Sequence, residues 1–511
     1  MPKRRGVLLT GATGLLGQYL LHDLLLKAYP VAVLVRDSRK GSAAERIRQI
    51  VAAWSDRLNQ ELPTPIVLNG DLGLVALGLT PIDRLWLGQN CKFLIHCAAN
   101  LSLRESSEGE PWRTNVEGTK FLLSLCREVG LSEWHQVSTA FVCGRRVGVI
   151  AEEAHDDSQG FHNPYEESKW QAERLVSQTP GIRATILRPS VIVGDSSTGH
   201  TTSFNGLYCF LELAARLAQR SSKSGEAYLP LRMPLSGDEV WNLVSVDWVS
   251  RAIVEILSKP QWHGCTFHLV ARSSVSNRFV RDIGAEVLKL SGVEFAGYER
   301  VKHPSRLEQL FFEGIQEYCP YLGGNPIFAF ANTKAALPDL PPPSIDRPML
   351  ERLIRFAVAN RWGRSLLKKS TEKHLEPPGR SYCAEYIEHV FPSQARQSRL
   401  AREAGLDLSI SINLQGPGGG QWSCRWRQGE LIYARKGLED NVAVTYHTDT
   451  ATFQSVVSGF ETPQEAFFEQ RIAITGDLET GLKLAVLFGQ FLAEQRVPQP
   501  HRMEVMDAIP I

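Results

Sequence analysis

Nowhere in the 511 residues is there a C-x-x-C pair, a long block of Lys or Arg, or an unbroken apolar run long enough to cross a membrane. Each absence excludes a class of protein. The nine cysteines are an odd, dispersed set, so neither a disulfide framework nor a zinc site on clustered thiols is expected; they predict reduced core thiols in a cytoplasmic protein. A membrane helix needs about 18 or more apolar residues in sequence, and no transmembrane segment is expected. Met1-Pro-Lys-Arg-Arg5 and the apolar residues after it imitate a signal peptide, but Thr10, Gly11, Thr13 and Gly14 interrupt the stretch. Lys and Arg total 56 against 55 Asp and Glu, a formal net charge of +1, which argues against a nucleic-acid partner. No pattern bears on oligomeric state.

What is present is an alternation. Val7-Leu8-Leu9, Val31 to Val35, Phe93-Leu94-Ile95, Gln136-Val137-Ser138 and Thr185-Ile186-Leu187 read as β-rich runs, with helical stretches such as Leu15 to Lys27 between them. That rhythm predicts an α/β fold: a doubly wound parallel sheet covered on both faces, binding ligands at the carboxyl ends of its strands. Residues 276–390 read as a mainly helical extension broken at Pro341-Pro342-Pro343, and a boundary is expected near residue 390. Beyond it, Asp407 to Asn413, Trp422 to Arg427, Asn441 to Thr448 and Arg471 to Thr475 read as strands, with an apolar helix from Leu482 to Leu492. The expected division is therefore 1–275, 276–390 and 391–511.

Thr10-Gly11-Ala12-Thr13-Gly14-Leu15-Leu16-Gly17 follows a strand and opens a helix. Glycines there let the backbone turn and approach a pyrophosphate, which the helix amino end stabilises. At the end of the second strand, where a ribose-binding acid is usual, stands Arg36; a guanidinium there favours a 2′-phosphate and hence NADP(H). Asp71 and Leu72 follow a third strand, where an acid and backbone can hold adenine. Ala98 and Ala99 end the fourth with the small residues that close cofactor approach requires.

Tyr165-Glu-Glu-Ser-Lys169 places a phenol and an ammonium on one helix face. A nearby ammonium stabilises phenolate, suiting the tyrosine to acid–base work near neutral pH. Ser138 and Thr139 end a strand just before it and can orient a substrate oxygen. His96 and His135 lie in or beside buried strands and read as packed structural residues, whereas His162 and His200 border the expected substrate opening without an assigned role.

Taken in order, TGATGLLG, Asp71, HCAA, Asn115-Val-Glu-Gly-Thr119, VSTAFVCG and YEESK resemble the extended short-chain dehydrogenases/reductases over residues 6–275. The resemblance implies a Rossmann-type domain with Thr139, Tyr165 and Lys169 as catalytic triad and Asn115 as a fourth, proton-relay member. Thr139 is preferred to Ser138 because it lies five residues before Gly144, where that family places the hydroxyl. Pro189, Ser190 and Val191 resemble the stretch that touches the nicotinamide amide. Leu34-Val-Arg36, Asn163-Pro-Tyr165, Arg188-Pro-Ser-Val-Ile-Val-Gly and Trp241-Asn-Leu-Val-Ser-Val-Asp247 resemble the thioester-reductase and fatty-acyl-reductase branch, although Ser245 stands where that branch usually has proline. Tyr318-Cys-Pro-Tyr-Leu322 is similar to the helical extension of bacterial acyl reductases.

Residues 396–500 resemble the sterol-carrier-protein family of lipid-binding domains, through Val444-Thr-Tyr446, Thr452 to Phe460, Ala466-Phe-Phe468 and Ile472 to Asp477. This implies a smaller α+β domain whose sheet and apolar helices enclose a lipid. Together the resemblances lead to an NADPH-dependent reductase of a lipid carbonyl, foremost a long-chain acyl thioester on coenzyme A or acyl-carrier protein. The alternatives are a sterol or hydroxy-lipid dehydrogenase, or a lipid carrier or scaffold on a relic nucleotide fold. Residues 195–240 are expected to shape the substrate pocket.

Overall fold

The computed structural model describes residues 6–494 apart from 39–40, 222–226, 299–300, 364–381, 397–399, 440, 459–461 and 469–470. Met1–Arg5, and Gly459 and Phe460 of the sterol-carrier-like stretch, lie outside the described residues. The chain divides into two compact units, Met1–Leu366 and Leu367–Ile511.

The first unit is built on seven strands: β1 (Gly6–Thr10), β2 (Val31–Val35), β3 (Ile66–Asn69), β4 (Cys91–His96), β5 (Glu133–Val137), β6 (Arg183–Pro189) and β7 (Thr266–Leu269). They lie in the order 3-2-1-4-5-6-7, and every neighbouring pair is parallel. β1 and β2 are buried at every residue, which is why they read as unbroken apolar runs rather than alternating ones. Helices Leu15–Leu26 and Val246–Leu257 pack together over one face. The order reverses between β1 and β4, and ligands of doubly wound sheets bind beyond the strand ends at such a point.

The described residues of 276–390 are mainly helical, but they also include a strand. Strand Leu290–Phe295 pairs in parallel with strand Ala227–Met233, so this stretch shares a lobe with residues 207–233 and is no appended extension. Helices Leu207–Ser221, Asn277–Leu288 and Arg347–Ala359 enclose that lobe's own apolar core. The helical pattern of the sequence hid the pair because it is only two strands wide and interrupted at Gly292.

The boundary also moves. Cys383, Tyr386, Ile387 and Phe391 are buried in one cluster with Ile410, Trp422 and Phe491 of the second unit, so that unit already includes the helical turns from Tyr382 onward. Its sheet has five strands in the order Glu430–Lys436, Gly420–Arg427, Leu408–Gln415, Val444–Asp449, Ile472–Gly476. Helix Leu478–Glu494 completes it, and Leu484, Phe488 and Phe491 line an apolar cavity of about 150 Å³. None of the nine cysteines forms a disulfide. Among the described residues no helix is long and apolar enough to cross a membrane, and no cluster of metal-ligating side chains occurs.

Candidate active site

The Gly-rich loop turns tightly because its glycines allow it. Gly11 adopts φ 76°, and a Cβ there would lie 2.5 Å from the Ala98 nitrogen. A Cβ on Gly17 would lie 2.0 Å from the Gly11 carbonyl oxygen, so the helix can approach the strand turn only without a side chain. Gly14 differs: it caps helix Leu15–Leu26, and a Cβ there would meet nothing nearer than 3.4 Å. Its open face lines a cavity. Thr10 and Ala12 are buried beneath; the Thr10 hydroxyl accepts from the Ala98 N–H (3.2 Å) and meets His96 Nδ1 at 2.8 Å, tying the ends of β1 and β4 together.

A cavity of about 330 Å³ runs from Gly11, Gly14, Leu15, Leu16 and Gly17 past Ala99 to Thr139, Tyr165 and Lys169, with Pro189, Ser190 and Val191 on its wall. Residues from both ends of the sequence-predicted site are thus brought together. Thr13, Arg36, Asp71, Leu72, Ala98 and Asn115 do not line it. Arg36 and Asp71 pair with each other at 3.3 Å beyond β2 and β3, the guanidinium 69% exposed. Asp37, the acid beside Arg36, is already engaged: its carboxylate accepts from the Ala43 N–H at 2.7 Å and from Asn69 Nδ2 at 3.0 Å. Leu72 packs beneath Gly118, where a Cβ would come within 3.1 Å of it.

Tyr165 and Lys169 project from helix Pro164–Ser177, which Asn163 caps by accepting from the Glu166 N–H. Lys169 is buried and donates to the Val137 carbonyl at 2.8 Å; burial lowers its pKa to about 8. The expected lowering of the Tyr165 pKa by this ammonium is not what the site shows. Burial pushes the phenol up, with Glu166 and then Cys97 adding to the rise. The physical reason is desolvation: a phenolate buried here would lose its hydration, and that cost leads the shift.

Asn115 sits in a π-turn, Arg113–Glu117, a local widening common at functional sites. Its Oδ1 accepts from the Asn100 N–H at 2.8 Å, and its Nδ2 donates to the Asn100 carbonyl at 3.0 Å and to Ser168 Oγ at 2.9 Å. The side chain therefore clamps the loop after β4 to helix Pro164–Ser177. Thr139 Oγ1 accepts from the Phe141 N–H at 3.3 Å, leaving its own hydroxyl hydrogen free. Ser138 Oγ is buried in the same cavity without a partner.

Several site residues were not singled out by sequence reasoning. Glu166, fully buried beside Tyr165, accepts from the Tyr321 hydroxyl at 2.6 Å and from the His162 N–H at 2.9 Å. Asn242 accepts from Ser190 Oγ at 2.6 Å and from the Ala271 N–H at 2.9 Å, fixing the wall beside the expected nicotinamide. Tyr318, Tyr321 and Trp241 line the cavity. The stretches Tyr318–Leu322 and Trp241–Asp247 were visible as motifs, but not as cavity walls. From residues 195–240, Ser203, Asn205 and Gly206 reach the cavity, as expected of that segment. Neither His162 nor His200 lines it; His200 packs near Tyr19 and Phe356. His96 and His135 are buried structural residues, as expected.

Known proteins are similar to this chain over part of its length. A nonribosomal peptide synthetase of Aspergillus flavus is 28% identical over 289 residues, 53% of this chain and 26% of that protein. The L-2-aminoadipate reductase large subunit of Penicillium chrysogenum is 27% identical over 338 residues, 60% of this chain and 22% of that protein. The chain thus spans about a quarter of the length of these curated relatives. The crystal structure of the terminal R domain from the myxalamid PKS-NRPS biosynthetic pathway superposes with a TM-score of 0.59 at 26% identity, covering 71% of this chain and 92% of that one. This chain joins an NAD-binding domain of the Male sterility protein family, matched over residues 9–253, to a domain of the SCP-2 sterol transfer family, matched over residues 387–489.

Proposed function

We propose that the chain is an NADPH-dependent reductase of a lipid acyl thioester, carried on coenzyme A or an acyl-carrier protein, giving the aldehyde and in a second round the alcohol. The observation that carries this is the single cavity joining the Gly-rich loop to Thr139, Tyr165 and Lys169. A relative named as a reductase and a similar structure named as an R domain support the same reading.

The cradle at Gly11, Gly14 and Gly17 suits a pyrophosphate. Arg36, exposed and paired with Asp71 at 3.3 Å, is available to a 2′-phosphate, while Asp37 is committed to Ala43 and Asn69. This favours NADPH over NADH. A bound dihydronicotinamide supplies hydride to the substrate carbonyl carbon.

The rest falls to this chain's own groups. Thr139 donates its hydroxyl hydrogen to the carbonyl oxygen, and Tyr165 gives that oxygen its proton as hydride arrives at carbon. Breakage of the C–S bond in the resulting hemithioacetal then releases aldehyde, the hydroxyl proton passing to the departing thiolate. Lys169 holds a positive charge beside the phenolate left on Tyr165. The Tyr321 hydroxyl, bonded to Glu166, and the Asn115 clamp to Ser168 hold the catalytic helix in place.

The apolar cavity of the second unit suggests a lipid substrate or product, since each buried methylene contributes roughly 0.8 kcal/mol. The test is NADPH oxidation by the purified chain against acyl thioesters, fatty aldehydes and sterol ketones, with products identified. Thioester-dependent oxidation yielding aldehyde supports the proposal; oxidation with sterol ketones alone replaces it with the dehydrogenase reading.

A further inference from the structure

A second cavity lies in the lobe beside the catalytic one. It measures about 110 Å³ and is walled by helices Leu207–Ser221 and Asn277–Leu288 and by strands Ala227–Met233 and Leu290–Phe295. Its lining is almost wholly apolar, Phe210, Leu231, Ala285 and Phe295 among it. The size is near that of the roughly 150 Å³ apolar cavity that stays dry and takes up benzene.

Trp241 lines both cavities. Phe210 packs edge-on against Trp241 at 5.1 Å and against Tyr318, a wall of the catalytic cavity, at 5.8 Å. Leu322 faces the apolar side one residue from Tyr321, which faces the catalytic side. One layer of aromatic rings therefore separates the thioester chemistry from an apolar void. The Trp241 indole N–H is buried and has no partner, although buried indole N–H groups ordinarily find one. An acyl carbonyl or amide oxygen passing the ring would supply it.

We infer that this apolar cavity is the subsite for the distal part of the substrate's acyl chain, with Trp241 as the wall the chain passes. The inference rests on the thioester-reductase reading and adds a prediction to it. Chain atoms that enter the lobe leave water and regain dispersion contacts that an empty void forfeits. Each further methylene should then raise kcat/KM about fourfold until the cavity is full.

The experiment uses the full chain with NADPH and acetyl-, butyryl-, hexanoyl-, octanoyl- and dodecanoyl-coenzyme A. Ala285→Leu, which fills the cavity from helix Asn277–Leu288, and Ala214→Leu, which fills it from helix Leu207–Ser221, are compared with the unaltered protein. The expected result is a kcat/KM rising with chain length in the unaltered protein. In either filled variant octanoyl turnover should fall tenfold or more, with acetyl turnover unchanged. Should one variant fail to fold, the other and the unaltered chain-length series still decide. An octanoyl-to-acetyl ratio that the fillings leave unchanged, or a flat chain-length series, overturns the acyl subsite while leaving thioester reduction standing. No turnover of any thioester overturns both.

Discussion

Tyr165 is made a weak acid by its surroundings, and that shapes how the site must work. Burial and the neighbouring Glu166 favour the neutral phenol, so in the proposed reaction its proton is held firmly until charge develops on the substrate. Lys169, pushed down to about 8 by burial, carries its charge only below that pH. If the ammonium assists proton donation, kcat/KM should decline as pH rises through about 8. Lys169→Arg, whose guanidinium does not titrate in this range, should abolish that decline even if it lowers the rate; a pH–rate profile of both proteins checks this. Tyr165, Lys169 and Thr139 were legible because they are near in sequence and flanked by ordered motifs. The Glu166–Tyr321 bond was not, since 155 residues separate its partners and no local pattern links them.

Elements set where those residues stand. Helix Pro164–Ser177 is fastened to β6 by a buried bidentate pair: Arg188 donates to both Glu173 carboxylate oxygens, at 2.9 and 2.7 Å. Arg188→Ala would leave Glu173 buried and unpaired, which should cost about 3–5 kcal/mol of stability, measurable as a fall in the urea midpoint of the purified protein. The Gly-rich loop offers a cleaner separation of fold from function. Gly14→Ala meets only ordinary contact in the protein, so its melting temperature without cofactor should be unchanged. Because the added methyl stands in the open cradle, its NADPH Kd should rise about tenfold or more, as read by calorimetry. β1, β2, β4, β5 and β6 were legible as β-rich runs between helical stretches. Strand Glu430–Lys436 was not: its sequence mixes charge with apolar residues, and four of its seven residues are exposed.

At the scale of the whole molecule, the first unit carries a latent acid sensitivity. His96, His135 and His268 are buried neutral, each with its pKa lowered to about 3 chiefly by burial. Both ring nitrogens of His135 lack partners. A histidine released by unfolding titrates near 6.5, so between about 6.5 and 3 the unfolded chain binds protons that the folded one refuses. Stability is thus full above that window and lost as pH falls through it. His135→Phe, set among the rings of Phe93 and His263, should lessen this loss by at most about 1.4 kcal/mol per pH unit, seen as a lower pH midpoint of acid unfolding by circular dichroism. The two-unit plan was legible from the change of pattern along the chain. The boundary was misplaced because helical turns from Tyr382 to Ala395 look like the helices before them, and only their burial against the second sheet assigns them.

The central claim is that one cavity unites NADPH with an acyl thioester under Tyr165, and a single-turnover reaction tests it most directly. Octanoyl-coenzyme A is mixed with excess purified protein and NADPH, following absorbance at 340 nm and the eight-carbon products together. The account predicts thioester-dependent oxidation with octanal formed first, slowed about 10²- to 10⁴-fold in Tyr165→Phe. Oxidation that needs no thioester, or that proceeds undiminished in Tyr165→Phe, would contradict it.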